Sequence, residues 1–298
     1  MRDLRIGMIG LDTSHCSAFA KNLNVPGTPH HVPGGRIVAA FKGGSDLCAV
    51  SRDRLGKYAD ELTGQYGVRL YDSIAELVGN VDAVMLESVD GRQHAEQFAQ
   101  LALAGKPVFV DKPLACSAAD ARKIAELAGA HGTAVMSCSA VRYAAGISEL
   151  RGCGEVFSCE AFGPASVLPD YPGLFWYGVH SADVLFSFMG CGCRQVRTIA
   201  GAEVDLVVGT WFDGRIGTVR GFRAPRLKQF GCTVTTTTAV GHRLVAGEPP
   251  YYALMLAEIM TFFRTGRSPI DLQETVEIVA FLEAANSSKG QAGEPVNL

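Results

Sequence analysis

The sequence predicts an α/β protein: a doubly wound parallel sheet, then a C-terminal α+β domain with an open, mostly antiparallel sheet. Three observations carry this. From Leu4 to Ser139, short β-rich runs alternate with helical stretches, the pattern of parallel strands joined by helical crossovers. Beyond Arg142 the runs follow one another across short turns such as Asp213-Gly214, the habit of an antiparallel sheet. The 298 residues, 48% hydrophobic and 19% charged, supply core for two domains and exclude a disordered chain. The change of texture divides the chain into residues 1–140 and 141–298.

In the first half, Leu4–Leu11, Arg36–Phe41, Gly67–Leu70, Asp82–Leu86, Pro107–Val110 and Thr133–Ser137 read as strands, short and rich in Val, Ile and Leu. Helices are expected at Thr13–Leu23, Arg52–Tyr66, Ser73–Gly79, Arg92–Ala104 and Ser117–Ala130. The fourth carries an apolar stripe of Ala95, Phe98, Ala99, Ala102 and Leu103 and stops at Gly105, with Pro107 just beyond. The fifth opens with Ser117 and Asp120 at capping-box spacing. In the second half, strands are expected at Val156–Phe162, Gln195–Ala200, Val204–Thr210, Ile216–Phe222, Gly231–Thr237 and His242–Ala246. A helix at Gly178–Phe188 interrupts them, and helices at Tyr251–Arg264 and Gln273–Ser288 follow.

A formal charge of −3 argues against nucleic acid or an anionic membrane as partner. Asp3 and Arg5 interrupt the first apolar run before it reaches signal length, and His180 and Asp183 break the most apolar region, Tyr171–Cys193. A cytoplasmic location is expected. The nine cysteines include one C-x-C, Cys191 and Cys193, and no C-x-x-C pair; reduced, mostly buried thiols are expected rather than a zinc site. Asp12, His15 and His180 lack ligand-pair spacing, so no metal is expected.

The first strand runs into Gly10-Leu11-Asp12-Thr13-Ser14-His15. A dinucleotide fingerprint would read G-x-G-x-x-G here; Gly10 fits it, while Asp12 and His15 stand at the second and third glycines. Asp12 puts a carboxylate where a phosphate is expected, and Asp12 or Thr13 could simply cap the helix. Further along, Met85-Leu86-Glu87-Ser88 ends the fourth strand, and His94 follows in the next helix. Then comes Ala104-Gly105-Lys106-Pro107-Val108-Phe109-Val110-Asp111-Lys112-Pro113-Leu114. This run resembles the A-G-K-x-V-x-x-E-K-P segment of the Gfo/Idh/MocA dehydrogenases, named for glucose–fructose oxidoreductase and inositol dehydrogenase. Val141-Arg142-Tyr143 is similar to the family's R-[FY] segment between domains, and Gly178-Val179-His180-Ser181-Ala182-Asp183 to its G-x-H-x-x-D helix.

The resemblance implies an N-terminal Rossmann domain, a substrate domain that often mediates oligomers, and hydride transfer between a nicotinamide and a carbinol or ketone carbon of a sugar or cyclitol. It implies cofactor contacts from Gly10, Asp12, Thr13, Ser14, His15, Glu87, Ser88, His94, Asp111 and Lys112. Lys112 would polarise the substrate oxygen, His180 would accept its proton, and Asp183 would face the same cleft. Family dehydrogenases carry an aspartate four residues before the histidine; here Trp176 takes that position. The alternatives are an enzyme of the same fold that uses bound nicotinamide for elimination or epimerisation, and a non-catalytic relative that binds a nucleotide or sugar. The second strand ends at Phe41-Lys42-Gly43-Gly44-Ser45, where NAD-preferring domains place an acid. Lys42 and Ser45 could hold a 2′-phosphate, so NADP is favoured over NAD. An open C-terminal sheet with few helices predicts a homo-oligomer through its uncovered face.

Overall fold

The computed structural model describes residues 2–224 and 227–298. The chain divides into two units: Met1–Ala115, Ala119–Ser137 and Tyr252–Leu272 form one, and Cys116–Ala118, Cys138–Tyr251 and Gln273–Leu298 the other. The expected boundary near residue 140 lies close to the main crossing. Residues 252–272, expected in the second domain, belong instead to the first.

The first unit contains β1 (Leu4–Ile9), α1 (Ser14–Asn24), β2 (Gly35–Phe41), α2 (Ala49–Tyr66), β3 (Arg69–Tyr71), α3 (Ile74–Gly79), β4 (Ala83–Leu86), α4 (His94–Ala102), β5 (Val108–Asp111), most of α5 (Ala118–His131) and most of β6 (Val135–Cys138). Its strands lie in the order β3-β2-β1-β4-β5-β6, with β2–β3, β1–β2, β1–β4 and β4–β5 parallel. Every residue of β4 and β5 is buried, as expected of strands covered on both faces by crossover helices. Local chemistry sets the helix ends. Thr13 caps α1 by accepting from the His15 N–H, and Ser73 caps α3 by accepting from the Glu76 N–H. Gly67, at φ 65°, closes α2 with its N–H on the Leu62 carbonyl. Helix α4 starts later than the sequence suggests, because a 3-10 turn over Gly91–Gln93 precedes it. Its Phe98 and Leu101 are fully buried, each stabilising by about 1.5–3 kcal/mol. The chain leaves β1 toward β2 on one side, while β4 lies on the other. That reversal at the carboxyl ends of the strands is where open α/β sheets generally bind ligands.

The second unit holds β7 (Val156–Pro164), α6 (Gly178–Met189), β8 (Cys193–Ala200), β9 (Val204–Trp211), β10 (Ile216–Phe222), β11 (Gly231–Thr236) and β12 (Val240–Leu244). Next in the chain is α7 (Tyr251–Thr265), nearly all of it in the first unit; α8 (Leu272–Gly290) and β13 (Val296–Asn297) return to the second. The sheet order is β12-β11-β7-β10-β9-β8-β13. All its pairs are antiparallel except β7–β10. Helix α6 packs on β7 and β10. Helix α8 is tied to β8, where the Thr198 hydroxyl donates to the Ala285 carbonyl and the Thr198 N–H to Ser288 Oγ, at 2.8 and 2.9 Å. Trp211, fully buried, packs beside Phe186, which in turn meets Phe281 edge-on. Ile199 and Ile216 are exposed on this sheet. Among the described residues no helix is long and apolar enough to cross a membrane, and none of the nine cysteines is in a disulfide, Cys153 and Cys191 being exposed.

Candidate active site

Several of the expected cofactor contacts turn out to hold the loops together. Gly10 sits at φ 85°, and a Cβ there would lie 2.4 Å from the Ser88 backbone, so the glycine is required by the loop packed on it. Asp12 is fully buried; its Oδ2 accepts from Ser51 Oγ at 2.5 Å and its Oδ1 from the Val89 N–H at 2.9 Å. Burial raises its pKa while these hydrogen bonds oppose the rise. Asp12 therefore fastens the β1 loop to α2 and to the β4 loop. Ser45 is likewise buried, donating to Asp90 Oδ2 at 2.6 Å, which takes up the hydroxyl expected to bind a phosphate. His94 is buried with Nε2 2.8 Å from the Ser88 carbonyl and Nδ1 2.9 Å from that of Pro113. It pins the β4 loop to the β5 loop. Thr13 serves as a cap, whereas Ser14 and Lys42 are exposed. Ser88 is buried, and its hydroxyl has no hydrogen-bond partner.

The same three loops bring together a set that no local spacing announces. His15 Nδ1 lies 3.0 Å from Asp111 Oδ2 and 3.6 Å from Glu87 Oε2. Lys112 Nζ stands 3.9 Å from Asp111 Oδ2. Glu87 is fully buried, and His15 and Asp111 are nearly so. His15 also stacks on Phe19, at 5.2 Å between ring centres. Its Nε2 lies 3.1 Å from the hydroxyl of Tyr252, on α7. Burial opposes protonation of His15, but the Asp111 and Glu87 carboxylates outweigh it and raise the imidazole to about 9. Glu87 moves up, through burial and then the charge of Asp111. Asp111 moves down, because His15 and Lys112 together outweigh its burial.

At the ends of β2 and β3 and the start of α4 lies an open cavity of about 390 Å³. Phe41, Gly43, Gly44, Asp72, Gln93 and Glu96 are among its walls. Glycines at φ 61° and 116° let the backbone form that wall, and the remaining groups are mostly hydrogen-bonding ones.

In the second unit, His180 Nδ1 lies 2.7 Å from Ser139 Oγ, and the ring meets Tyr177 and Phe230 edge-on. Ser139 thus stands where an orienting carboxylate was missed in the sequence. Trp176 packs against Tyr171 and Tyr177, as an aromatic wall. Asp183 is buried, accepting from Arg142 Nε at 2.6 Å and from the Ser139 N–H at 3.1 Å. A second Arg142 nitrogen reaches Glu274 Oε1 at 2.6 Å. Burial alone would lower the Arg142 pKa, but the Asp183 and Glu274 carboxylates outweigh it and raise it. Asp183, expected in a catalytic cleft, is therefore an internal counter-ion. It also fixes the Ser139 backbone, whose side chain meets His180.

Residues 4–138 match the family model described as "Oxidoreductase family, NAD-binding Rossmann fold", that of Gfo/Idh/MocA proteins. Residues 4–138 are thus similar to the NAD-binding domain of the Gfo/Idh/MocA proteins. Inositol 2-dehydrogenase 3 of Saccharopolyspora erythraea is 35% identical over 111 residues. That alignment spans 36% of this chain and only about a third, 32%, of that relative. Among solved structures, a probable dehydrogenase from Thermotoga maritima aligns over 99% of this chain and 98% of its own, with TM-score 0.77 and 20% identity. A myo-inositol dehydrogenase from Lactobacillus casei, in complex with NAD(H) and myo-inositol, aligns over 99% and 97%, with TM-score 0.76 and 16% identity. At such identities the agreement is one of fold, and it extends over nearly the whole chain.

Proposed function

We propose that this protein is a nicotinamide-dependent oxidoreductase of the Gfo/Idh/MocA type, acting on a CH–OH group of a polyhydroxylated, sugar- or cyclitol-like small molecule. The observation that carries the reading is Lys112. Its ammonium is only 13% exposed, stands at the carboxyl end of the sheet beside the switch point, and is kept in place by Asp111. A cation so placed lowers the pKa of a substrate hydroxyl, or polarises a carbonyl, without bulk water screening it. A relative of partial length acts, by its name, on inositol, which supports the substrate class.

The cavity beside β2 has the size and polarity for the nucleoside end of the cofactor. Gly43, Gly44, Asp72 and Gln93 would hold it there, and the cofactor when bound supplies the hydride acceptor or donor. Asp72 and Glu96 line that cavity while Ser45 is bonded to Asp90. Carboxylates accept from ribose hydroxyls and repel a 2′-phosphate, so the structure favours NAD(H) over the NADP(H) expected from Lys42. His180, its ring fixed by Ser139, is assigned as the proton acceptor. The exposed face of the second sheet is assigned to a homo-oligomer; a mass of one chain by light scattering would refute that part.

The test is absorbance of reduced cofactor against a polyol panel, with NAD and NADP titrated in parallel. Lys112→Ala and His180→Ala are each expected to lower kcat by about 10²–10⁴-fold with cofactor affinity little changed. Turnover that survives both substitutions, or no dinucleotide binding at all, would refute the assignment.

A further inference from the structure

We propose that His15, Glu87 and Asp111 form a binding site for one first-row divalent cation, Mn²⁺ or Zn²⁺. The inference stands on the first unit alone and does not depend on dinucleotide chemistry. One ligand atom from each residue lies within 4.8 Å of the other two. Two ligands about 2.1 Å from one ion lie roughly 3.0 Å apart at a right angle and about 3.4 Å apart at a tetrahedral angle. The measured separations from His15 Nδ1, 3.0 Å to Asp111 Oδ2 and 3.6 Å to Glu87 Oε2, span those values.

A second observation points to a bound group. His15 Nδ1, both oxygens of Glu87 and Asp111 Oδ1 are buried and make no hydrogen bond. Buried polar atoms are almost always satisfied, and here four of them converge on one spot. His15 Nδ1, although 3.0 Å from Asp111, is not aimed along a hydrogen bond to it, whereas a shared ion would satisfy all three side chains at once. Metal-bound imidazoles usually have their second nitrogen held by an outer partner. Tyr252 fills that position, its hydroxyl 3.1 Å from Nε2, which leaves the Nδ1 lone pair for the ion.

The ligand set selects the class of ion. Two carboxylates and one imidazole suit borderline dications rather than soft Cu⁺, which prefers thiolates and thioethers. Lys112, 3.9 Å from Asp111 Oδ2, opposes a cation. A bound ion displaces the imidazole proton, and the two carboxylates then outnumber the one ammonium. Three protein ligands leave at least one coordination position of the ion for water or another oxygen donor.

The experiment uses the full chain, treated with chelator, dialysed, and titrated by calorimetry with MnCl₂ and separately with ZnCl₂. One ion per chain is expected, with Glu87→Gln and Asp111→Asn each weakening binding by about tenfold or more. Crystals of the unaltered protein soaked in MnCl₂ supply a measurement independent of how the variants fold. An anomalous peak about 2.0–2.2 Å from His15 Nδ1 and from both carboxylates is expected. The proposal is overturned if neither ion saturates, if both variants bind like the parent, or if the density between the three side chains is water.

Discussion

Replacing Arg142 by methionine should destabilise the second unit severely. The guanidinium donates to Asp183 and to Glu274, each at 2.6 Å, and also reaches the Asp183 carbonyl. Its side chain is 7% exposed, Asp183 3% and Glu274 17%. Methionine keeps the volume but leaves a buried carboxylate without its counter-ion, a change that typically costs about 3–5 kcal/mol. Asp183 retains the Ser139 N–H, and Glu274 can turn toward water, so the expected loss is at the lower end, about 3 kcal/mol. At an ordinary urea dependence of roughly 1–3 kcal/mol/M, that moves the unfolding midpoint by about 1–3 M. Both tryptophans of the chain, Trp176 and Trp211, lie in this unit, so their fluorescence follows its unfolding. Asp183→Asn removes the stranded charge. The double variant should therefore lose at least about 1 kcal/mol less than the two single losses added. A midpoint that hardly moves in Arg142→Met, or strictly additive losses in the cycle, would show that the network does not hold this unit together.

Gly10→Ala places a methyl 2.4 Å from the Ser88 backbone at a φ of 85°, so a loss of about 2 kcal/mol or more is expected by thermal melting; a variant that melts like the parent contradicts the packing. Ser139→Ala removes the partner of His180 Nδ1; kcat should fall about tenfold and its pH profile should move, while KM stays near its parent value. Asp82 is lowered from 3.8 to about 2, chiefly by hydrogen bonds from Arg5. Its contribution to stability is thus present above about pH 4 and lost as pH falls toward 2, and Asp82→Asn should flatten that acid limb in urea titrations at stepped pH.

The alternation of strands and helices exposed the architecture because both parallel-sheet burial and helical crossovers leave marks in local sequence. Lys112 and His180 stand in contiguous motifs, which is why local sequence singles them out. The roles of Asp12, Ser45, His94 and Asp183 were not, since each depends on a partner far away in the chain: Ser51 and Val89, Asp90, Ser88 with Pro113, and Arg142. A carboxylate beside a glycine turn reads alike whether it meets a nucleotide or a buried serine. The His15–Glu87–Asp111 cluster was hidden for the same reason, being assembled from three separate loops. Strand β13, two residues long, leaves no periodicity to read, and Ser139 shows its role only beside His180.

Helix α7 carries a consequence for biosynthesis. Nearly all of it belongs to the first unit, although more than a hundred residues of the second unit precede it in the chain. On a ribosome, domains usually fold as they emerge, the N-terminal one first. This one must wait: the helix that brings Tyr252 to His15 and Met260 against Gly35 is translated after nearly all of the second unit. Until then the nascent sheet exposes the apolar surface that α7 covers, so this interval is when the chain is most open to chaperones and to aggregation. A fragment ending near residue 140 would remain in that state permanently.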